Sequence, residues 1–199
     1  MCPSGNTYVE TMCSQYGTIA LIDYHNERMN RTRHELFGSA DIIDLRNVVS
    51  PDPSAPCLKV RVVYGHEGIT DVSYAPYSPK DIRTLRFVTC DDISYGYKST
   101  DRTRLSSLAA MKGCCDEVLI VRRGLITDTS YTNVAVLSDG MWLTPRQPLL
   151  KGTRRASLLD RGIITEADIR PEAITPETDI MLFNGMMDFG THVAHICRD

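Results

Sequence analysis

The residue with the clearest chemical potential is Lys98, in the stretch DISYGYKSTDR at residues 92–102. An aromatic-rich run that favours an extended strand precedes it, and Ser99, Thr100 and Asp101 follow, each able to cap a helix. A lysine amine becomes a nucleophile that condenses with an aldehyde when burial or neighbouring positive charge lowers its pKa. A solvated surface lysine is the commoner alternative, so the rest of the chain must decide.

A second candidate site is the run LLKGTRR at residues 149–155. Gly152 directly precedes a predicted helix, so the backbone N–H groups of Thr153 and Arg154 would point out of its N-terminus. Such donors, together with the helix dipole, suit a phosphate group. A simple helix cap is the alternative interpretation.

A third candidate is Asp128, within GLITDTSYTNVAV at residues 124–136. It is the only carboxylate in a run that otherwise favours a sheet. A carboxylate that pairs with a protonated ring nitrogen makes a pyridinium a better electron sink, and Asn133 can hold the intervening turn. The alternatives are an exposed strand position or turn former for Asp128 and a backbone-satisfying loop residue for Asn133.

The elements that must position these residues follow from hydrophobic periodicity, β-branched residues and glycine stops. In the first part of the chain we predict strands at 7–12 and 17–23, helices at 24–37 and 41–49, and a hairpin of 57–65 with 69–77. Beyond the SPK linker at 78–80 we predict strands at 84–90, 117–124, 125–130 and 133–140, helices at 102–113 and 153–162, and strands within 164–170 and 179–185. A domain boundary near the linker separates a small α+β domain at 1–79 from a larger α/β domain at 80–199.

Composition argues against several classes of function. The net charge of −3, a sequence pI near 5.9 and the lack of a Lys/Arg cluster argue against a nucleic-acid partner. No stretch approaches the roughly 20 apolar residues that span a bilayer, and the segment MCPSGNTYVETM lacks a basic run followed by a long apolar run, so we expect a cytoplasmic protein without a membrane partner. The seven cysteines lack CxxC spacing, which favours reduced thiols over disulfides or zinc, and the five histidines show no metal spacing.

Taken in order, these segments resemble the fold-type IV pyridoxal-phosphate (PLP) enzymes, the class IV aminotransferase family. KSTDR, GLITDTSYTN, DGMWLTPRQPLLKGTRR and LFNGMMDFG resemble its cofactor-binding segments, YVETM resembles its FET strand, and YHNERMNRTRHELFG resembles the helix with its phosphate-binding arginine. The resemblance covers almost the whole chain, and loosely specific motifs in the correct order make a strong joint signal. It implies a fold like that of D-amino-acid aminotransferase, with a small α+β domain and a larger α/β domain that binds PLP.

The resemblance also implies roles for individual residues. Lys98 would form the Schiff base with PLP and move the proton, and Arg28 would bind the cofactor phosphate. Asp128 stands where most members have a glutamate facing the pyridine nitrogen, and its shorter side chain must lie nearer the ring or reach it through water. The implied cofactor-binding residues are Arg28, Lys98, Asp128, Thr153, Arg154, Asn184, Gly185 and Met186, and no metal is implied.

Within the family, Asp101 and Arg102 after the lysine are more similar to aminodeoxychorismate lyase than to the branched-chain enzymes. The resemblance therefore implies conversion of 4-amino-4-deoxychorismate to 4-aminobenzoate and pyruvate, a step of folate synthesis, in a homodimer that takes a small-molecule amine. Two alternatives stay open. One is a class IV aminotransferase for a branched-chain or D-amino acid, and the other is a PLP-binding relative without activity, because the chain begins close to the first family strand and its substrate segment looks shortened.

Overall fold

The computed structural model describes residues 6–197, and these fall into two compact units. Unit 1 comprises the described residues up to Pro79 together with Tyr97–Asp101, and unit 2 comprises the remaining described residues. Lys98 therefore belongs to unit 1, together with the N-terminal strands and helix.

Unit 1 is a four-stranded antiparallel sheet in the order β2-β1-β3-β4, with one long helix. Its elements are β1 (Tyr8–Gln15), β2 (Thr18–Ile19), α1 (Ile22–Phe37), β3 (Leu58–Gly65) and β4 (Gly68–Pro76). Met12 of β1, Met29 of α1 and Tyr64 of β3 are all fully buried in one apolar cluster. The helix therefore packs its apolar side against the sheet, as its predicted periodicity requires.

The two ends of α1 show how far local sequence determines this helix. It ends as predicted at Gly38, whose φ of 69° lies in the left-handed region and whose N–H reaches back to the carbonyl of His34. The predicted strand at 17–23 is wrong beyond Ile19, because Leu21 adopts a φ of 58° and turns the chain directly into the helix.

The helix predicted at 41–49 is also wrong, since only a short 3-10 turn forms at Leu45–Asn47. Two asparagines of α1 take up the backbone groups that a helix would use. Asn30 accepts from the N–H of Ile43 and donates to its carbonyl, and Asn26 accepts from the N–H of Leu45 at 2.8 Å. Side-chain bonds of this kind compete with helix formation.

Unit 2 is an eight-stranded mixed sheet in the order β10-β9-β8-β11-β12-β5-β6-β7, with two helices. Its elements are β5 (Thr84–Thr89), α2 (Thr103–Ala109), β6 (Glu117–Arg122), β7 (Leu125–Ile126), β8 (Asn133–Ser138), β9 (Met141–Pro145), α3 (Thr153–Asp160), β10 (Thr165–Ala167), β11 (Ile180–Phe183) and β12 (Val193–Ile196). The predicted strands and helices of this region are present, several of them shorter than predicted. The predicted strand at 125–130 stops at Ile126, because Thr129 and Thr132 close a tight turn with each other.

One prediction about the cysteines is wrong, because Cys115 and Cys197 form a disulfide across 82 residues of sequence. The fold explains this pairing. The N–H of Cys197 donates to the carbonyl of Leu85, and the N–H of Asp116 donates to that of Thr84, so both cysteines border the same end of β5.

Across residues 6–197, no helix combines the length and the apolar character that crossing a bilayer requires.

Candidate active site

Lys98 is held in place by backbone pairing with β1. The carbonyl of Lys98 accepts from the N–H of Val9 at 2.9 Å, and the N–H of Thr100 donates to the carbonyl of Thr7 at 2.9 Å. The hydroxyls of Thr7 and Thr100 lie 2.7 Å apart, which adds a side-chain link. The lysine is half-buried on a short extended segment paired with a sheet, which is a rigid mounting for a reactive amine.

A buried charged cluster lies between β1 and α1 in the same unit. Glu10 of β1 has no exposed surface, and it accepts from Arg28 Nε at 2.9 Å and Arg28 Nη2 at 2.5 Å. The same carboxylate lies 2.6 Å from Nδ1 of His25, whose ring is also fully buried. His25 and Arg28 are three residues apart on α1, so both face the sheet and meet Glu10.

The electrostatics of this cluster favour one charge state. Burial alone would raise the pKa of Glu10, but Arg28 and His25 outweigh it and lower that pKa to about 2. Burial lowers the pKa of His25, and the positive charges of Arg28 and Lys98 push it in the same direction against the attraction of Glu10. The cluster therefore holds a carboxylate, a guanidinium and a neutral imidazole, and Lys98 lies near enough for its charge to act on the imidazole.

In unit 2, Asp128 lies just beyond β7 and is 5% exposed. Its carboxylate accepts from Asn133 Nδ2 at 2.9 Å and from the backbone N–H of Leu150 at 2.9 Å. Asn133 also donates to the carbonyl of Leu150 at 2.8 Å. Asn133 thus bonds both to Asp128 and to a backbone carbonyl, and it ties Asp128 to the segment that leads into α3.

Asp128 is a buried carboxyl whose bonding partners within residues 6–197 are an amide and a backbone N–H rather than a cation. Burial raises its pKa to about 6, and the donors on Leu150 and Asn133 together with the charge of Arg155 only partly offset that rise. Glu10 in unit 1 shows the opposite shift of its pKa, because a guanidinium touches its carboxylate. A protonated group placed beside Asp128 would therefore gain a partner that titrates near neutral pH.

The N-terminus of α3 comes close to this carboxyl. Gly152 is the N-cap and has no side chain with which to cap the helix, whose first backbone N–H groups belong to Thr153 and Arg154 and point toward this end. A Cβ added at Gly152 would lie 2.0 Å from Asn133 Oδ1. The backbone and the Asn133 side chain are therefore in contact at a distance that only glycine allows.

The turn after β11 is fixed by Asn184. Its Oδ1 accepts from the N–H groups of Met186 at 2.8 Å and Met187 at 3.0 Å, which closes the loop around Gly185. Its Nδ2 donates to the carbonyl of Tyr131 at 3.2 Å, in the loop that carries Asp128. The Asp128 loop, the start of α3 and the Asn184 turn are thus joined within unit 2.

Comparison with known proteins assigns this arrangement to a family. Residues 67–191, more than half of the chain, match the family described as amino-transferase class IV. The chain belongs to the class IV aminotransferase family. Its mixed α/β fold is the one found in solved structures of this family, which confirms the predicted fold class and the resemblance.

Individual relatives match this class IV aminotransferase over most of its length. An uncharacterised protein of Haemophilus influenzae is 36% identical over 181 residues, which cover 89% of this chain and 96% of that protein. A structure from Haemophilus somnus, described as a "putative 4-amino-4-deoxychorismate lyase", has a TM-score of 0.84 at 30% identity and covers 92% of this chain and 97% of its own. A "putative amino-acid aminotransferase" from Mesorhizobium loti has a TM-score of 0.82 at 26% identity and covers 96% and 100%.

A more distant structure with the same fold contains PLP. It is a "hypothetical aminotransferase" from Mycobacterium tuberculosis, solved in a PLP-bound form, with a TM-score of 0.74 and 16% identity over 98% of this chain and 81% of its own.

The residues predicted for cofactor binding in this class IV aminotransferase chain are divided between the units. Lys98 and Arg28 lie in unit 1, and the other six lie in unit 2. The guanidinium of Arg154 forms an ion pair with Asp188, and the backbone N–H of Arg154 belongs to the first turn of α3.

Sequence reasoning missed Glu10 and His25. The signal for Glu10 was available, because a glutamate inside the apolar run YVETM is costly to bury without a cation. His25 lies three residues before Arg28 on a predicted helix, so the two side chains share one face of that helix, and Arg28 is the cation on that face. Neither residue was singled out, because a strand glutamate is more often exposed.

Proposed function

We propose that the chain is a PLP-dependent enzyme, and that its reaction converts 4-amino-4-deoxychorismate to 4-aminobenzoate and pyruvate. The observation that carries the PLP assignment is the donor set. It comprises a half-buried amine on a paired segment at Lys98, a buried guanidinium at Arg28, a helix start without a side-chain cap, and a buried carboxyl with a raised pKa at Asp128. The amine fits an aldehyde, the guanidinium and the helix start both fit a phosphate, and the carboxyl fits a protonated pyridine nitrogen.

When bound, PLP supplies an aldehyde for amine condensation and a ring that withdraws electrons. In the proposal Lys98 Nζ would hold the cofactor through its aldehyde, would take the proton from the amine-bearing carbon of the substrate, and would supply a proton to the enolpyruvyl group as it leaves as pyruvate. Asp128 would keep the ring nitrogen protonated, while Arg28, the first N–H groups of α3 and the turn at Asn184–Met186 would bind the phosphate.

The lyase assignment is supported by Asp101 and Arg102 after the lysine and by the Haemophilus somnus structure at 30% identity. The N–H of Asp101 donates to the hydroxyl of Ser99 at 3.0 Å, so this segment is ordered directly after Lys98. The Arg102 guanidinium donates to the carbonyl of Ser130 at 2.9 Å, in the Asp128 loop. The Mesorhizobium loti relative favours the second candidate, an amino-acid aminotransferase.

A paired assay separates these candidates. Purified protein with PLP is given 4-amino-4-deoxychorismate, and 4-aminobenzoate is measured by fluorescence and pyruvate by coupled lactate dehydrogenase. In parallel, branched-chain and D-amino acids with 2-oxoglutarate are tested for glutamate formation, and Lys98→Ala is the control in both. Both lyase products in equal amounts support the lyase, glutamate without them supports the aminotransferase, and bound PLP without either product shows a relative that binds the cofactor but has no such activity. A homodimer is part of the same proposal, and light scattering of the purified protein tests it.

A further inference from the structure

Arg28 is held by its neighbours in one orientation. Glu10 engages Nε and Nη2, the pair of donors on one edge of the guanidinium, at 2.9 and 2.5 Å. A bidentate contact of this kind fixes the plane of the guanidinium as well as its position. The remaining pair of donors, on Nη1 and the outer side of Nη2, is thereby given a fixed direction, and this planar fork matches the oxygens of a phosphate.

Glu10 is held in its turn by His25. The Nδ1–Oε2 distance of 2.6 Å requires the neutral imidazole to carry its proton on Nδ1 and donate it to the carboxylate. Both side chains are fully buried, between β1 and α1. The imidazole thus orients Glu10 without adding a second positive charge that would compete with Arg28 for it.

We infer that Glu10 and His25 are positioning residues, which hold the Arg28 guanidinium in the direction that receives the phosphate of the cofactor. The inference rests on the proposed function, because Arg28 is assigned to the phosphate there. It adds that the affinity for the phosphate depends on two residues that do not themselves touch the cofactor. Pre-orientation of this kind strengthens binding because the side-chain ordering is already complete before the ligand arrives.

The test compares PLP with pyridoxal, which lacks the phosphate. Affinities of Glu10→Gln and wild type for both compounds are measured by absorbance titration of the protein. Loss of an oriented charge-assisted contact should weaken PLP binding about tenfold to a hundredfold, because such bonds are among the stronger ones in proteins. Pyridoxal affinity should stay within about twofold. Glu67→Gln, a change in the same unit at a glutamate whose side chain is 90% exposed, is the matched control and should alter neither affinity.

A second pair of variants tests the role of the imidazole, and it still tests the inference if Glu10→Gln does not fold. His25→Leu removes the donor to Glu10, whereas His25→Gln keeps an N–H. We expect a selective loss of PLP affinity, about threefold to tenfold, in the leucine variant, and at least partial recovery in the glutamine variant.

The outcomes separate this inference from the function on which it rests. If wild-type protein binds neither PLP nor pyridoxal, the proposed function fails. If wild type prefers PLP but the variants weaken both compounds equally, the two residues maintain the site as a whole and the inference is wrong. It is equally wrong if neither Glu10→Gln nor His25→Leu yields folded protein, because the two residues would then act on the fold.

Discussion

Replacing Gly152 by alanine tests the junction that joins Asp128 to the start of α3. The backbone angles at Gly152, φ −72° and ψ 150°, suit alanine, so any cost must come from the added methyl group. That group would lie 2.0 Å from Asn133 Oδ1, and Asn133 is 6% exposed. The asparagine must therefore move, although its position is fixed by bonds to Asp128 and to the carbonyl of Leu150.

The magnitude follows from the bonds that are lost. The charge-assisted bond to Asp128 is worth about 1.5–3 kcal/mol and the bond to the Leu150 carbonyl about 1 kcal/mol. Alanine also lowers the conformational entropy of the unfolded chain, which stabilises the folded state by about 0.4–1 kcal/mol. The free energy of unfolding should therefore fall by about 1.5–3.5 kcal/mol, which lowers the melting temperature by roughly 3–14 °C for a chain of this size.

Thermal and urea unfolding followed by circular dichroism measure this loss. Gly96→Ala is the control, because a Cβ there meets nothing within 4 Å, and its stability should stay within about 0.5 kcal/mol of wild type. If Gly152→Ala proves as stable as Gly96→Ala, Asn133 is not held as described, and the argument for a fixed Asp128 loop fails with it.

Three further predictions concern the proposed site. After incubation with PLP and reduction by borohydride, peptide mapping should place the label on Lys98, and Lys98→Ala should lose it while a substitution of exposed Lys80 keeps it; label on another lysine would contradict the assignment. In the protein without cofactor, the pKa of Asp128 is about 6 in the folded state and 3.8 in the unfolded state. The protonated carboxyl therefore stabilises the folded state by about 3 kcal/mol below pH 3.8, and this contribution is lost as the pH rises through about 6. Urea unfolding across pH 4–7 should show this decline in wild type and not in Asp128→Asn. Asn184→Ala removes the acceptor for two backbone N–H groups and should cost about 1–3 kcal/mol of stability and weaken PLP more than pyridoxal, whereas equal weakening would argue against a phosphate role for this turn.

The fold could be predicted from sequence where local chemistry determined the outcome. The glycine stop at Gly38 ended α1 as expected, and the hairpin of β3 and β4 formed around its turn because β-branched residues flank it. The segment at 41–49 could not be predicted in this way, because Asn26 and Asn30, far earlier in the chain, take its backbone groups. Tertiary contacts override propensity at such positions.

The candidate site shows the same division. Motifs predicted Lys98, Asp128 and the start of α3 because each has a recognisable local context. The partners that determine their chemistry are non-local. Glu10 meets Arg28 only when β1 packs on α1, and the disulfide of Cys115 with Cys197 depends on two strand ends that meet at β5. Such pairings can be predicted only once the order of the strands in the sheet is known, and the residue pattern alone does not determine that order.

Two buried carboxyls in this protein have pKa values shifted in opposite directions, and the difference bears on what Asp128 is suited to bind. Glu10 and Asp128 are both desolvated, yet Arg28 lowers the pKa of Glu10 to about 2 while the pKa of Asp128 rises to about 6. Hydrogen bonds from an amide and a backbone N–H do not replace a cation in contact. Glu10 is thus already neutralised, whereas the partners of the Asp128 carboxylate within residues 6–197 are uncharged donors, and a cation brought by a ligand would supply the opposite charge. A protonated ring nitrogen supplies one, and it would draw the pKa of Asp128 down as it binds. PLP should therefore shift the pH dependence of stability that Asp128 causes to lower pH, and an unshifted profile in the loaded protein would show that the ring nitrogen lies elsewhere.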